Sequence, residues 1–595
     1  MIFQRPRTCT APRRRIAAGI IGGLALVLVA MTDGRAAEQP VNAALIPLSE
    51  IKAGMKGEVW TVFRGTQPEP FAVEVTGVVQ NAIGPGKAMI ICELNDPRVQ
   101  NMGAVAGMSG SPLYVDGRLA GALSYQVQRF ETVHYAGFTP AADLAEVQAR
   151  VGAEGTVAAA SSGVASGSSY QALQPVFTFS GLSPAVAELF APRFAALGLG
   201  TSALGGSETG TTVPPSSPAP LVPGSAVSVA LSTGDITLAG TGTVSRIEGR
   251  RVTAFGHPLL ALGDVDLPMC AAEIVTILPS NLQSIKVANT GAVIGTIAQD
   301  RLSAVAGTLG AGPAMIPIEV DVTSSHHETR TLHFSVVRQA QLTPAVVAAG
   351  VTQAILSSNE SGLSEGFRLT SDVAFPAGQA LANETLYAGP QAFAQGLGDF
   401  VQRLSANLQN PYEKTFPDHV KFTVEALAQN PSAVLDSFQL SRTSARAGDS
   451  VQATVAWRDW QGDTHREVVP LTISADWAGR TVNVVLAPGR VLDELTGHSR
   501  TIPAAQLRSF GAYLAALNDD RRTDGLYLVV VEKTPVFTDQ TTATPDLPGS
   551  FERIARGSDD ARYQKHDIYV PLWEKHVLPG RLLAAQLVRP LQVEE

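Results

Sequence analysis

The side chains best placed for chemistry are few. The first is a serine in Gly107-Met108-Ser109-Gly110-Ser111-Pro112, where small residues on both sides let the backbone turn tightly and present a hydroxyl. A hydroxyl needs a base to take its proton. Of ten histidines, His257 is the best placed, in Thr253-Ala254-Phe255-Gly256-His257-Pro258-Leu259-Leu260, at a strand end between residues that bend the chain. His134 is the reserve base. Asp96, in Leu94-Asn95-Asp96-Pro97-Arg98, is the candidate orienting acid, with Asp264 and Asp266 as rivals. Together these types suit acyl transfer: Ser109 attacks, His257 carries the proton, Asp96 orients the ring, and the amides of Gly107 and Ser109 stabilise the oxyanion. Each has an ordinary structural alternative: a hairpin loop, a satisfied histidine, a turn aspartate. The chemistry requires no cofactor. His326 and His327 lie in a polar strand without carboxylates at ligand spacing, a weak basis for a metal site.

Strands must hold these loops. Val59-Trp60-Thr61-Val62-Phe63, Phe71-Ala72-Val73-Glu74-Val75 and Met89-Ile90-Ile91-Cys92 are short, β-branched and punctuated by Gly and Pro, at barrel-like spacing. Leu113-Tyr114-Val115 and Leu119-Ala120-Gly121-Ala122-Leu123 flank Asp116-Gly117, a dipeptide that supplies the positive φ angles of a tight hairpin. The expected plan is a serine-bearing lobe at 37–150, linkers with a short helical insertion at 151–225 and a histidine-bearing lobe at 226–340. A helical connector at 341–415, a small β-sandwich at 416–494 and a C-terminal region of no assigned role at 495–595 complete it. Ser183-Pro184 opens the inserted helix towards Leu197, and Pro192 is expected to kink or split it.

Hydrophobic residues make up 45% of the 595-residue chain and charged residues 16%, a mix that builds packed cores. Arg13, Arg14 and Arg15 precede an apolar run at 16–30 and a small-residue zone at Gly34-Arg35-Ala36, which reads as a signal peptide over 1–36. Secretion or a periplasmic location is therefore expected, with a retained membrane anchor as the alternative. Its removal takes away six Arg and one Asp, moving the net charge from −9 to −14. So acidic a protein has no basic stripe for nucleic acid. Cys92 and Cys270 leave one disulfide or two buried thiols open.

The serine hexapeptide matches G-D-S-G-G-P of chymotrypsin-like proteases at four of six positions, aligning Ser109 with the nucleophile. It is not the G-x-S-x-G elbow of α/β-hydrolases. More of the chain resembles the SpoIVB sporulation peptidases: Val59 to Val62, Phe71 to Val75, Asn95-Asp96-Pro97-Arg98-Val99, the Gly103 to Pro112 run, and Gly121-Ala122-Leu123-Ser124-Tyr125. Gly240-Thr241-Gly242-Thr243-Val244 through His257 resembles that family's histidine-bearing region. The resemblance covers about 45–150 and 226–335. It implies catalytic roles for Ser109, His257 and Asp96, and a mainly β, two-lobed chymotrypsin-like barrel body with α+β additions. Two departures stand out: serine precedes histidine, as in a circular permutation, and no PDZ-like segment precedes the serine lobe.

The expected function is an exported serine endopeptidase acting on a specific protein or peptide, with an envelope-associated partner. A catalytically inactive envelope scaffold with the same fold is the alternative. An esterase is a third reading, which the missing elbow disfavours.

Overall fold

The computed structural model describes residues 39–127, 133–152, 170–173, 175–199, 202–203, 206–207, 220–280, 283–324, 327–357, 365–496, 509–538, 543–545 and 564–595. The signal segment and most of both linkers lie outside these residues. Strands β1 (Lys56–Thr61), β2 (Glu69–Gly84), β3 (Lys87–Leu94), β4 (Pro112–Val115), β5 (Arg118–Val127) and β6 (Tyr135–Pro140) pair in the ring β4-β1-β2-β3-β6-β5. The ring is closed, because β4 also pairs with β5. Phe71, Val73 and Val75 alternate along β2 and enter the barrel core with Ile90, Cys92 and Phe138. Asp116 and Gly117 turn the β4–β5 hairpin with φ of 49° and 72°, both left-handed as a type I′ turn needs.

Short strands β7 (Tyr170–Ala172), β8 (Val176–Ser180), β9 (Ser202–Ala203) and β10 (Gly206–Ser207) lead to a second closed barrel. Its strands are β11 (Ala226–Gly234), β12 (Thr237–Glu248), β13 (Arg251–Ala254), β14 (Gly263–Leu278), β15 (Ile285–Arg301) and β16 (Ala304–Leu309). They run β11-β14-β15-β16-β13-β12, with β11 closing on β12. This is the expected two-lobed β-barrel body. The chain forms two short helices on the way, α1 (Pro97–Gln100) and α2 (Ala141–Ala149). Leu144 and Val147 of α2 share a core with Ala122 of the first barrel and with Ala304 and Ala306 of the second. The inserted helix α3 (Pro184–Ala196) runs through Pro192 without splitting. Cys92 and Cys270 are buried free thiols, each raised in pKa by burial.

Beyond the barrels, β17 (Met315–Thr323) and β18 (Thr329–Val337) extend the sheet from the end of β11. Residues 341–415 contain more than helices. Between α4 (Thr343–Ser357) and α5 (Gly389–Leu408) stands the hairpin Gly366–Ala374 with Ala380–Ala388. That hairpin joins the same sheet through His419–Ala426, which lies parallel to β17. The C-terminal sandwich therefore begins later and runs further than expected. The sheet of Ala433–Leu440, Ser450–Asp459 and Thr464–Thr472 shares a core with Thr481–Ala487, Leu526–Thr538 and Leu587–Glu594. Phe438, Val451 and Leu471 of the first sheet are covered by Val484, Leu528 and Leu591 of the second. Three strands with one apolar face need an opposing sheet, and the chain supplies most of it from its last seventy residues.

Candidate active site

The serine loop leaves β3 at Leu94, turns through α1 and returns as β4. Gly107 and Gly110 have φ of 95° and 96°, so each needs glycine on conformational grounds. At Gly110 space also forbids a side chain, because a Cβ would collide with the Thr243 carbonyl oxygen. Within the loop, Met108 N donates to the Val105 carbonyl (2.9 Å), Gly110 N to Leu123 (2.7 Å), and Ser111 N and Oγ to Met108 (2.9 and 2.6 Å). Among the described residues, Gly107 N and Ser109 N find no acceptor.

The loop's carbonyls face the second barrel. Thr243 N donates to Ser109 O (2.8 Å), Thr243 Oγ1 to Gly107 O (3.1 Å), and Ser245 Oγ to Gly110 O (2.8 Å). Thr243 then accepts Phe255 N at 3.1 Å, so one residue of β12 binds the serine loop on one side and the histidine loop on the other.

The histidine loop leaves β13 through two successive left-handed residues, Phe255 (φ 70°) and Gly256 (φ 66°). A buried Phe in that region is a strained conformation that its surroundings must hold. Thr139 of the first barrel donates to Gly256 O at 2.6 Å and fixes the bend across the lobes. Asp300 holds the residues after His257: its carboxylate accepts Leu259 N (2.7 Å), Leu260 N (2.9 Å) and Leu262 N (3.1 Å).

His257 Nδ1 stands 2.7 Å from the Pro258 carbonyl. A carbonyl only accepts, so Nδ1 carries the proton and Nε2 presents its lone pair, the tautomer a general base requires. Both His257 Nε2 and Ser109 Oγ are buried without a hydrogen-bond partner, and they are not bonded to each other. Ser109 is 0% and His257 1% exposed, so neither side chain reaches solvent. Burial pushes the His257 pKa down to about 4, with the Pro258 carbonyl opposing it.

The other candidate residues lie in different networks. Asp96 caps α1, accepting Arg98 N at 2.9 Å, Nε at 3.1 Å and Nη2 at 3.0 Å, and Arg98 holds its carboxyl below the usual range. Its hydrogen bonds are to Arg98, and the imidazole is held by Pro258. Asp264 accepts from Gln299 (2.8 Å) and Arg301 (2.6 Å). Burial raises Asp266, with Arg338 opposing it. His134 packs its ring against Gly103 at the near end of the loop. His326 lies outside the described residues. Sequence reasoning missed Thr243, Ser245, Thr139 and Asp300. The block at 240–244 carried a signal for Thr243, but a lone aspartate in a strand carried none for Asp300.

Residues 13–138 match the family model of the SpoIVB peptidase S55. The serine-bearing barrel is thus of SpoIVB peptidase type. That family is one of serine peptidases, hydrolases acting on proteins or peptides, and the match extends over the serine-bearing part of the chain. The matched span holds Asp96, Gly107 and Ser109 of the SpoIVB-like lobe, and His257 lies beyond it. No curated protein and no solved structure gives a significant match.

Proposed function

We propose that this chain is an exported serine endopeptidase with Ser109 as nucleophile and His257 as base. The observation that carries the proposal is the pair of buried, unpartnered atoms, Ser109 Oγ and His257 Nε2, on two loops joined through Thr243. Buried polar atoms without partners are costly, and functional sites are where proteins retain them. In the reaction Ser109 Oγ bonds to the scissile carbonyl carbon while its proton passes to Nε2. Gly107 N and Ser109 N, left without acceptors by the loop, donate to the oxyanion. Collapse breaks the C–N bond and the amine leaves with the His257 proton, after which water, deprotonated by the same ring, releases the acyl group.

Pro258 O, rather than Asp96, performs the orienting task. A neutral carbonyl stabilises the imidazolium less than a carboxylate would, so modest turnover is expected. Substrate entry requires the barrels to part, and hydration of the opened site would return His257 towards its ordinary pKa. Export through 1–36, a specific protein substrate and the circularly permuted lobe order complete the proposal. The burial of Ser109 favours one other reading, an inactive envelope scaffold. A fluorophosphonate probe separates the two: covalent labelling of the mature chain, abolished in Ser109→Ala and reduced at least about 100-fold in His257→Ala, supports the peptidase. A folded chain that never labels is the scaffold.

A further inference from the structure

Lys286 lies at the start of β15, 0% exposed, in the seam beside the serine loop. Its Nζ has a hydrogen bond to Thr61 Oγ1 of the first barrel at 2.8 Å. Lysine is rarely so buried unless paired, and here the partner is a neutral hydroxyl. Burial pushes its pKa down to about 7.

Its surroundings suggest why it is there. Ala106 N donates to Ser284 O at 2.8 Å, and Lys286 N donates back to Ala106 O at 2.9 Å, so the first residues of β15 pair with the loop just ahead of Gly107. The peptide whose carbonyl is Ala106 O is the one whose N–H belongs to Gly107. In a trans peptide these two groups point in opposite directions. The bond from Lys286 N to Ala106 O therefore sets the aim of Gly107 N–H. The Lys286 stem closes the same spot, since a Cβ at Gly107 would meet its Cβ, Cγ and Cδ at 3.0, 3.3 and 3.2 Å. At the second donor the arrangement repeats, with Ser111 N and Oγ holding the Met108 carbonyl opposite Ser109 N–H.

We propose that Lys286 is a positioning residue for the oxyanion site, its amine tethering β15 to Thr61 so that the β15 backbone keeps the Gly107 N–H aimed at the reacting carbonyl. The role rests on the serine peptidase reading. The tether reaches across the barrels, so its loss lets the start of β15 shift relative to the loop it pairs with.

The test uses the full mature chain and three variants: Lys286→Met, which keeps most of the stem and loses the amine, Thr61→Val, and both together. The maximal fluorophosphonate labelling rate constant should fall on the order of ten-fold or more in each single variant, with little change in probe affinity. The double variant should be no slower than the slower single, because both remove one interaction. A lesion that only unfolds the chain lowers the labelled fraction and leaves the rate constant of the folded part unchanged. Amide exchange across 102–112 and 283–290 gives a readout that needs no catalysis, and should quicken in all three variants. Wild-type rate constants in Lys286→Met, strictly multiplying losses, or unchanged exchange would each overturn the inference. A wild-type chain that never labels rejects the peptidase reading instead, and exchange then decides the tether alone.

Discussion

At the scale of the residue, burial governs the chemistry. His257 is folded with a pKa of about 4 against an ordinary 6.5. Between those values the unfolded chain binds a proton that the folded chain does not, so this residue's contribution to stability falls as pH drops from 6.5 to about 4. The slope reaches about 1.4 kcal/mol per pH unit at most. Urea melts of wild type and His257→Leu across that range should differ by this slope, and parallel curves would show that the ring is hydrated. Lys286 obeys the same sign at higher pH. Its folded pKa of about 7 lies below the ordinary 10.5, so stability should rise with pH through that window and Lys286→Met should flatten the rise.

At the scale of the element, two loops carry the proposed site and each has an anchor. Asp300 is 1% exposed and serves three amides of the His257 loop. Asparagine there keeps the size but turns one oxygen into a donor facing N–H groups, which should cost about 1–3 kcal/mol and slow labelling more than it lowers the labelled fraction. Equal rate constants for Asp300→Asn and wild type would remove Asp300 from the positioning of His257. Gly110→Ala should be worse, because its Cβ would collide with backbone at Thr243 and Phe255 that no rotamer change relieves. Failure to accumulate folded protein is the expected outcome, and a folded, labelled Gly110→Ala chain would contradict the packing.

At the scale of the whole molecule, the barrels meet over the buried Ser109 and His257 side chains. Thr243, Ser245, Thr139 and Lys286 all bond from one barrel to the other. If opening limits acylation, the labelling rate should saturate with probe concentration at a plateau shared by fluorophosphonates of different leaving group. Plateaus that vary with the leaving group would mean that chemistry, not opening, is slow. No described helix is long and apolar enough to cross a membrane.

The amino-acid sequence alone determined what depends on a few neighbouring residues. Asp116-Gly117 predicted its hairpin because a two-residue turn has a dihedral requirement that those side chains meet. The glycines around Ser109 marked a tight loop for the same reason, and the alternation in Phe71 to Val75 showed a strand with one buried face. Tertiary structure decided everything that depends on which distant segments pack together. Asp96 and Asp300 are both aspartates near turns in the text. Only the pairing of β15 beside the loop after His257 makes Asp300 its anchor, while Arg98, two residues away, takes Asp96. The sandwich boundary moved for the same reason. A strand's alternation shows that it has a face to bury, and the partner that buries it is chosen by packing across hundreds of residues.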